Sequence, residues 1–246
     1  MAARQYIEPM LRAWITAALS HLPSCCEVCG AWPTQPVCEP CLQRFARPRP
    51  RCQTCALPLP EGVARCGACL RRPPPLDACH AAVSYGFPWT GLIGRFKYQQ
   101  HPGWAGQLAE VMRRAPGIES ALADCELLVP VPLSNQRLAE RGFNQALELA
   151  RQLAPAKLAP RLLLRVRDTA SQARLDRRQR SANLRHAFAV DPQRAAALRG
   201  RAVLLMDDVM TSGATLESAA AALRRAGAAR VTAVVLARTG EDAHRP

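Results

Sequence analysis

The feature that most restricts this chain is a run of four C-x-x-C pairs: Cys26/Cys29, Cys38/Cys41, Cys52/Cys55 and Cys66/Cys69. Two residues between thiolates let a tight knuckle turn present both sulfurs to one ion, and two knuckles complete the tetrahedron that zinc prefers. Pairing in chain order puts Cys26, Cys29, Cys38 and Cys41 on one ion and Cys52, Cys55, Cys66 and Cys69 on another, although a cross-braced pairing satisfies the same spacing. Disulfides would suit a secreted chain, and redox chemistry would suit a C-x-x-C inside a βαβ unit. Four successive pairs without such a unit suit two structural zinc ions, which stabilise a segment too small to bury its own core. Cys25 is an alternative ligand to Cys26, whereas Cys79 and Cys125 lie in apolar, strand-like surroundings that read as core.

The run Arg71-Arg72-Pro73-Pro74-Pro75 disfavours helix and sheet alike and marks a boundary. The expected organisation is an amphipathic helix over 1–24, a double zinc ribbon over 25–75 and an α/β domain over 76–246. Between Tyr6 and Leu22 apolar residues recur at helical spacing, but Glu8 and Arg12 interrupt any membrane span. Leu22-Pro23-Ser24-Cys25 is faintly similar to a lipoprotein cleavage site, yet the apolar stretch before it is too short and broken for a signal peptide. The expected compartment is therefore the cytoplasm.

Beyond the prolines, strands are predicted over 81–87, 127–131, 162–166, 203–206 and 231–236. Helices are predicted over 92–98, 104–114, 144–153 and 215–226. Such alternation predicts an α/β fold with a mainly parallel sheet flanked by helices, and ligands then sit at the carboxyl ends of strands. The apolar strand Val203-Leu204-Leu205-Met206 runs into Asp207 and Asp208, then into a loop, Thr211-Ser212-Gly213-Ala214-Thr215, that opens a helix. Gly213 permits a tight turn, and the loop's N–H groups and hydroxyls can surround a phosphate at the positive helix end. Adjacent carboxylates suit a ribose diol or a Mg2+ ion. Together they describe a receptor for a ribose 5-phosphate. A helix-capping role for the two acids would leave the Thr-Ser-Gly-Ala-Thr run unexplained.

This segment resembles the phosphoribosyl pyrophosphate motif of type I phosphoribosyltransferases. The chain as a whole resembles the ComF family, bacterial phosphoribosyltransferase-like proteins linked to competence and DNA utilisation. The cysteine pairs, Leu92-Ile93-Gly94-Arg95-Phe96-Lys97-Tyr98, Val129-Pro130-Val131-Pro132-Leu133 and Arg137-Leu138-Ala139-Glu140-Arg141-Gly142-Phe143-Asn144-Gln145 carry the likeness. The resemblance implies a type I phosphoribosyltransferase-like sheet behind a zinc ribbon, with Asp207 and Asp208 on the ribose hydroxyls, Thr211 to Thr215 on the 5-phosphate, and Mg2+ accompanying the ligand. The loop after the 127–131 strand would meet pyrophosphate, with Lys97, Arg137 and Arg141 as cationic contacts. Gln172, Arg177, Arg180 and Asn183 would belong to a flap over the site. Purine-salvage relatives carry an acidic general base where this chain has Thr211, so no catalytic residue is assigned; His101 and His186 are available as bases, although a lone histidine is more often a surface or core residue.

Two functions follow as expectations. One is phosphoribosyl transfer, or sensing, with release of pyrophosphate. The other is non-catalytic binding of single-stranded DNA in DNA uptake and transformation, with proteins of the uptake machinery as partners. A formal charge of +14 favours a polyanion, and 137–199 holds fourteen basic residues against five acidic. Stacking of bases would have to draw on Trp32, Tyr85, Phe87, Trp89, Phe96, Tyr98 or Trp104, several of which read as core. The arginine- and proline-rich 44–50 run offers a further docking contact.

Overall fold

The computed structural model describes residues 24–98, 101–166 and 187–240. They form two compact units that divide between Gln43 and Arg44. In the first unit Ser24 and Thr34 make a short antiparallel bridge around the Cys26–Cys29 turn. Helix α1 (Glu39–Phe45) begins in this unit, and its Cys41 and Leu42 are buried.

The second unit holds the second cysteine quartet, with helix α2 (Gly67–Arg71), and then the α/β body. Its elements are β1 (Ala78–Ser84), α3 (Trp89–Tyr98), α4 (Trp104–Arg113), α5 (Ile118–Asp124), β2 (Leu127–Pro130), α6 (Asn135–Arg141), α7 (Gln145–Leu153), β3 (Leu163–Arg165), β4 (Phe188–Val190), β5 (Ala202–Met210), α8 (Ala214–Arg225) and β6 (Arg230–Arg238). Four strands make a parallel sheet in the order β1-β6-β5-β2. The fold is thus the α/β one with a mainly parallel sheet flanked by helices.

The central strands β5 and β6 are apolar because both faces of the sheet are covered. Val203 and Leu205 share a core with Val231, Ala233 and Val235 of β6 and with Leu216, Ala219, Ala220 and Leu223 of α8. Successive strand residues face opposite sides, so the fully buried Leu204 and Met206 face the other layer, where α4 and α7 pack. The stretch predicted over 162–166 is β3, which leaves the parallel sheet and pairs antiparallel with β4, Leu163 opposite Val190. Leu163 and Phe188 of this pair join the α8-side core.

Sequence patterning put both quartets in one module ending at the Arg71–Pro75 run, whereas the compact unit containing the sheet already begins at Arg44. Hydrogen bonding explains the difference. The N–H of Cys79 in edge strand β1 donates to Gln53 O at 2.9 Å, and Arg51 donates to Ala56 O and Ser84 Oγ, each at 3.1 Å. Ala56 is fully buried in the α/β core and Cys55 packs against it. The N-terminal helix expected over 1–24 lies outside the described residues, apart from Ser24. Among the described residues no helix is long and apolar enough to cross a membrane.

Candidate functional site

Strand β5 extends beyond its apolar run to Met210 because β6 continues the ladder beside it, with Asp207 opposite Val235 and Met210 opposite Arg238. The two acids therefore lie within the strand, near its carboxyl end, and not after it. Alternation leaves Asp207 half-buried and turns Asp208 inward. Asp207 Oδ1 accepts the Asp208 N–H at 2.8 Å. Burial, with the Asp208 charge added to it, pushes the Asp207 carboxyl up to about 7.

Asp208 gathers two of the three cations that the sequence singled out. Lys97 Nζ, from the last turn of α3, lies 3.1 Å from Asp208 Oδ1, and Arg141 Nη1, closing α6, lies 3.8 Å from Oδ2. Arg141 also donates to Gln145 Oε1 at 2.9 Å and stacks over the Tyr98 ring, with its guanidinium carbon 5.5 Å from the centroid. Its buried Nε has no acceptor among the described residues. Arg137 is different: it sits half-exposed on the first turn of α6, and among the described residues its guanidinium meets no carboxylate.

The caps that seat these helices are short-range and sequence-encoded. Buried Ser134 accepts the N–H of Arg137 at the start of α6. Asn144 accepts the N–H groups of Ala146 and Leu147 at the start of α7, while its Nδ2 donates to Val131 O at 3.0 Å. That last bond ties the segment after β2 to the helix beside it.

After Met210 the chain turns through Thr211, Ser212 and Gly213 into α8. Gly213 has a left-handed φ of +86°, so the backbone conformation favours glycine, and a Cβ there would lie 2.7 Å from Met210 Cε, which would have to move aside. The N–H groups of Ser212, Gly213 and Thr215 have no backbone acceptor among the described residues. Such free donors at a helix start form a cradle for an anion.

The sequence reading missed Arg238 and Thr239, which lie under this loop. Arg238 Nη1 donates to Thr211 O at 2.5 Å and to Thr239 O at 2.7 Å. A signal existed in the arginine that ends the apolar strand, since a cation there stands at the ligand edge of the sheet. The flap residues Gln172, Arg177, Arg180 and Asn183, and His186, lie outside the described residues. His101 is exposed in the segment before α4.

Both cysteine quartets assemble in chain order. In each, the four sulfurs lie within 4.8 Å of one another. Four sulfurs at ~2.3 Å from a zinc stand roughly 3.8 Å apart, and the distances here match: Cys26–Cys41 is 3.9 Å, Cys29–Cys38 is 3.6 Å and Cys55–Cys66 is 3.7 Å. Backbone N–H groups favour one thiolate per quartet. They outweigh desolvation to lower Cys26 to about 6 and Cys52 to about 7, whereas desolvation and neighbouring sulfurs raise Cys41 and Cys69. A closed all-thiolate set of this kind fits structural zinc, and the two quartets could hold two ions. Cys25 is exposed and Cys79 and Cys125 are buried, and none of the three belongs to either quartet; Cys79 lies beside the second, its N–H bonded to Gln53 O.

A parallel sheet whose central strand carries paired acids ahead of a glycine-closed loop and helix start has the form of a phosphoribosyltransferase-like domain, and residues 138–246 match the family model described as phosphoribosyl transferase domain. Over 234 residues the chain is 30% identical to the DNA utilization protein YhgH of Escherichia coli K12, covering 89% of this chain and 98% of that protein. It is 32% identical over 208 residues to competence protein F of Haemophilus influenzae, covering 82% and 90%. A shorter match, 35% over 114 residues, links it to competence protein ComFC of Bacillus subtilis, covering 46% and 45%. The chain belongs to the ComF family of phosphoribosyltransferase-like proteins.

Proposed function

We propose that this protein binds phosphoribosyl pyrophosphate with Mg2+, either to transfer the phosphoribosyl group or to sense it, in connection with DNA utilisation or competence. The observation that carries the reading is the arrangement at the end of β5. Asp207 and Asp208 stand ahead of a loop whose Ser212, Gly213 and Thr215 N–H groups have no backbone acceptor among the described residues, and the half-buried Lys97 and buried Arg141 pair with Asp208. In this reading the loop takes the 5-phosphate and the acids take the ribose hydroxyls. Lys97 and Arg141 exchange part of their pairing with Asp208 for the pyrophosphate, where the unpartnered Arg141 Nε finds an acceptor. Arg137, at the rim, adds a third cation. The acids are also the hard oxygen donors that Mg2+ requires, and the ion would supply charge neutralisation for the leaving group. If transfer occurs, the acceptor must lose its proton to a group other than Thr211, which has no basic side chain.

Calorimetric titration of Mg2+–phosphoribosyl pyrophosphate into zinc-loaded protein tests the reading. Wild type should bind and Asp207→Asn/Asp208→Asn should not. Folded wild type that gives no heat and no thermal shift would sink it.

A second reading, non-catalytic binding of single-stranded DNA, is favoured by a separate feature. Arg47, Arg49 and Arg51, spaced by prolines, line a cavity of about 350 Å3 beside β1. The exposed ring of Phe87 and the face of Tyr98 that Arg141 does not cover are available for stacking, while Trp89 and Phe96 are core. Affinity for oligonucleotide should fall with a slope set by the phosphates neutralised, and Arg47→Gln/Arg49→Gln should flatten that slope by about 1.4, at ~0.7 per phosphate on a single strand. A salt-independent affinity would remove this reading.

A further inference from the structure

Within the loop assigned above to the 5-phosphate, Ser212 Oγ accepts the Ala214 N–H at 3.4 Å, but the bonds that anchor its first residues come from elsewhere. They lie beneath it, on the last residue of β6. Arg238 is 7% exposed. Its Nη1 carries two hydrogens, and the closest acceptors are Thr211 O at 2.5 Å and Thr239 O at 2.7 Å, with Met210 O at 3.3 Å in a weaker shared contact. Thr239 returns the tie, since its N–H donates to Met210 O at 3.1 Å. Two consecutive loop carbonyls are thereby drawn toward the sheet. The N–H groups of Ser212, Gly213 and Thr215 are not engaged in this way and have no backbone acceptor among the described residues.

The same guanidinium reaches the cysteine knuckle. Arg238 Nε donates to Cys55 O at 2.9 Å, so one planar group spans the knuckle and the loop. A fork of fixed geometry can do this, whereas an ammonium on a flexible stem cannot hold several carbonyls in set directions. Arg238 also has no carboxylate partner among the described residues; its acceptors are backbone carbonyls and a threonine hydroxyl. The guanidinium lies under the loop at the positive end of α8, where an anion gains from both.

We propose that Arg238 is a positioning residue for the ligand's 5-phosphate, fixing the Met210–Thr211 carbonyls so that the loop's N–H groups face the phosphate and keying the loop to the Cys52–Cys55 knuckle. This rests on the phosphoribosyl pyrophosphate reading. It goes beyond that reading by assigning the loop's geometry to a residue outside the motif and by joining it to the cysteine region.

The test separates the two halves of the ligand. Zinc-loaded wild type, Arg238→Lys and Arg238→Gln are titrated with Mg2+–phosphoribosyl pyrophosphate, ribose 5-phosphate and Mg2+–pyrophosphate, and amide exchange is followed across 211–215. Loss of charge-assisted bonds should weaken both 5-phosphate ligands about tenfold or more in Arg238→Gln, with pyrophosphate changed less than about twofold. Arg238→Lys, which keeps the charge but not the fork, should fall between and show faster exchange at 211–215. Equal weakening of all three ligands would indicate a general defect and overturn the proposal, as would unchanged binding of ribose 5-phosphate. If Arg238→Gln does not fold, the same comparison in Arg238→Lys decides. Failure of wild type to bind either 5-phosphate ligand would instead remove the reading beneath the proposal, and the proposal with it.

Discussion

At Asp207 a stabilising and a functional requirement pull in opposite directions. Burial and the neighbouring Asp208 charge raise its carboxyl to about 7, well above an ordinary aspartate. The folded chain thus keeps a proton that the unfolded chain releases near pH 4, so this residue's contribution to stability falls as pH rises toward 7. At pH 8 Asp207→Asn should be more stable than wild type by roughly 1–3 kcal/mol, read from denaturant midpoints. On the phosphoribosyl pyrophosphate reading, Mg2+ binding would have the opposite sign, because a cation prefers the ionised form. Affinity for Mg2+-loaded ligand should climb by up to about tenfold per unit between pH 5 and 7 and then level off. A pH-independent affinity would show that Asp207 stays ionised throughout. Gly213 makes a second prediction at this scale. With φ at +86° and Met210 Cε in the way, Gly213→Ala should cost about 1–3 kcal/mol in thermal or chemical unfolding. The residues of the motif were singled out because paired acids, short hydroxyl side chains and a glycine stand together in the sequence where an apolar strand ends. Arg238 was not, because its role depends on a strand pairing that places it beside a loop 27 residues earlier in the chain.

Helix starts organise the cationic side of the site. Asn144 caps α7 and also holds Val131 O, so Asn144→Ala removes a cap and a tertiary bond together. The expected loss is about 1–2 kcal/mol, from urea unfolding. Ser134→Ala should cost about 1 kcal/mol, since only the cap at α6 is lost. Most of the longer elements followed from periodicity, β2, α4 and α7 within a residue or so of the expected bounds. The short ones did not. Helices α5 and α6, of seven residues each, carry too few turns to show a 3.6-residue period, and three-residue β4 exists only because β3 is there to pair with it. For the same reason the extent of β5 was underestimated: two acids end an apolar pattern, but β6 supplies hydrogen-bond partners through Met210.

For the whole molecule, the sharpest expectation concerns zinc. Two ions per chain should be found by elemental analysis, and Cys66→Ser should reduce the count to one. Apparent binding energies of structural zinc sites run to about 10 kcal/mol or more, so chelation should lower the thermal midpoint strongly. Because the second quartet packs into the α/β unit, Cys66→Ser should destabilise the sheet itself, visible as a lower midpoint for the β-sheet signal. The sequence by itself determined the two cysteine quartets, the alternation of strands and helices, and the succession of paired acids, short loop and helix start. These are local: knuckle spacing, residue periodicity and the conformations open to glycine act over a few neighbouring positions. Tertiary structure alone decided that the second knuckle belongs with the sheet, that Lys97 and Arg141 converge on Asp208 while Arg137 does not, and that Arg238 underpins the loop. Those outcomes depend on which distant backbone groups lie within hydrogen-bonding reach, and only strand order and helix packing set that distance.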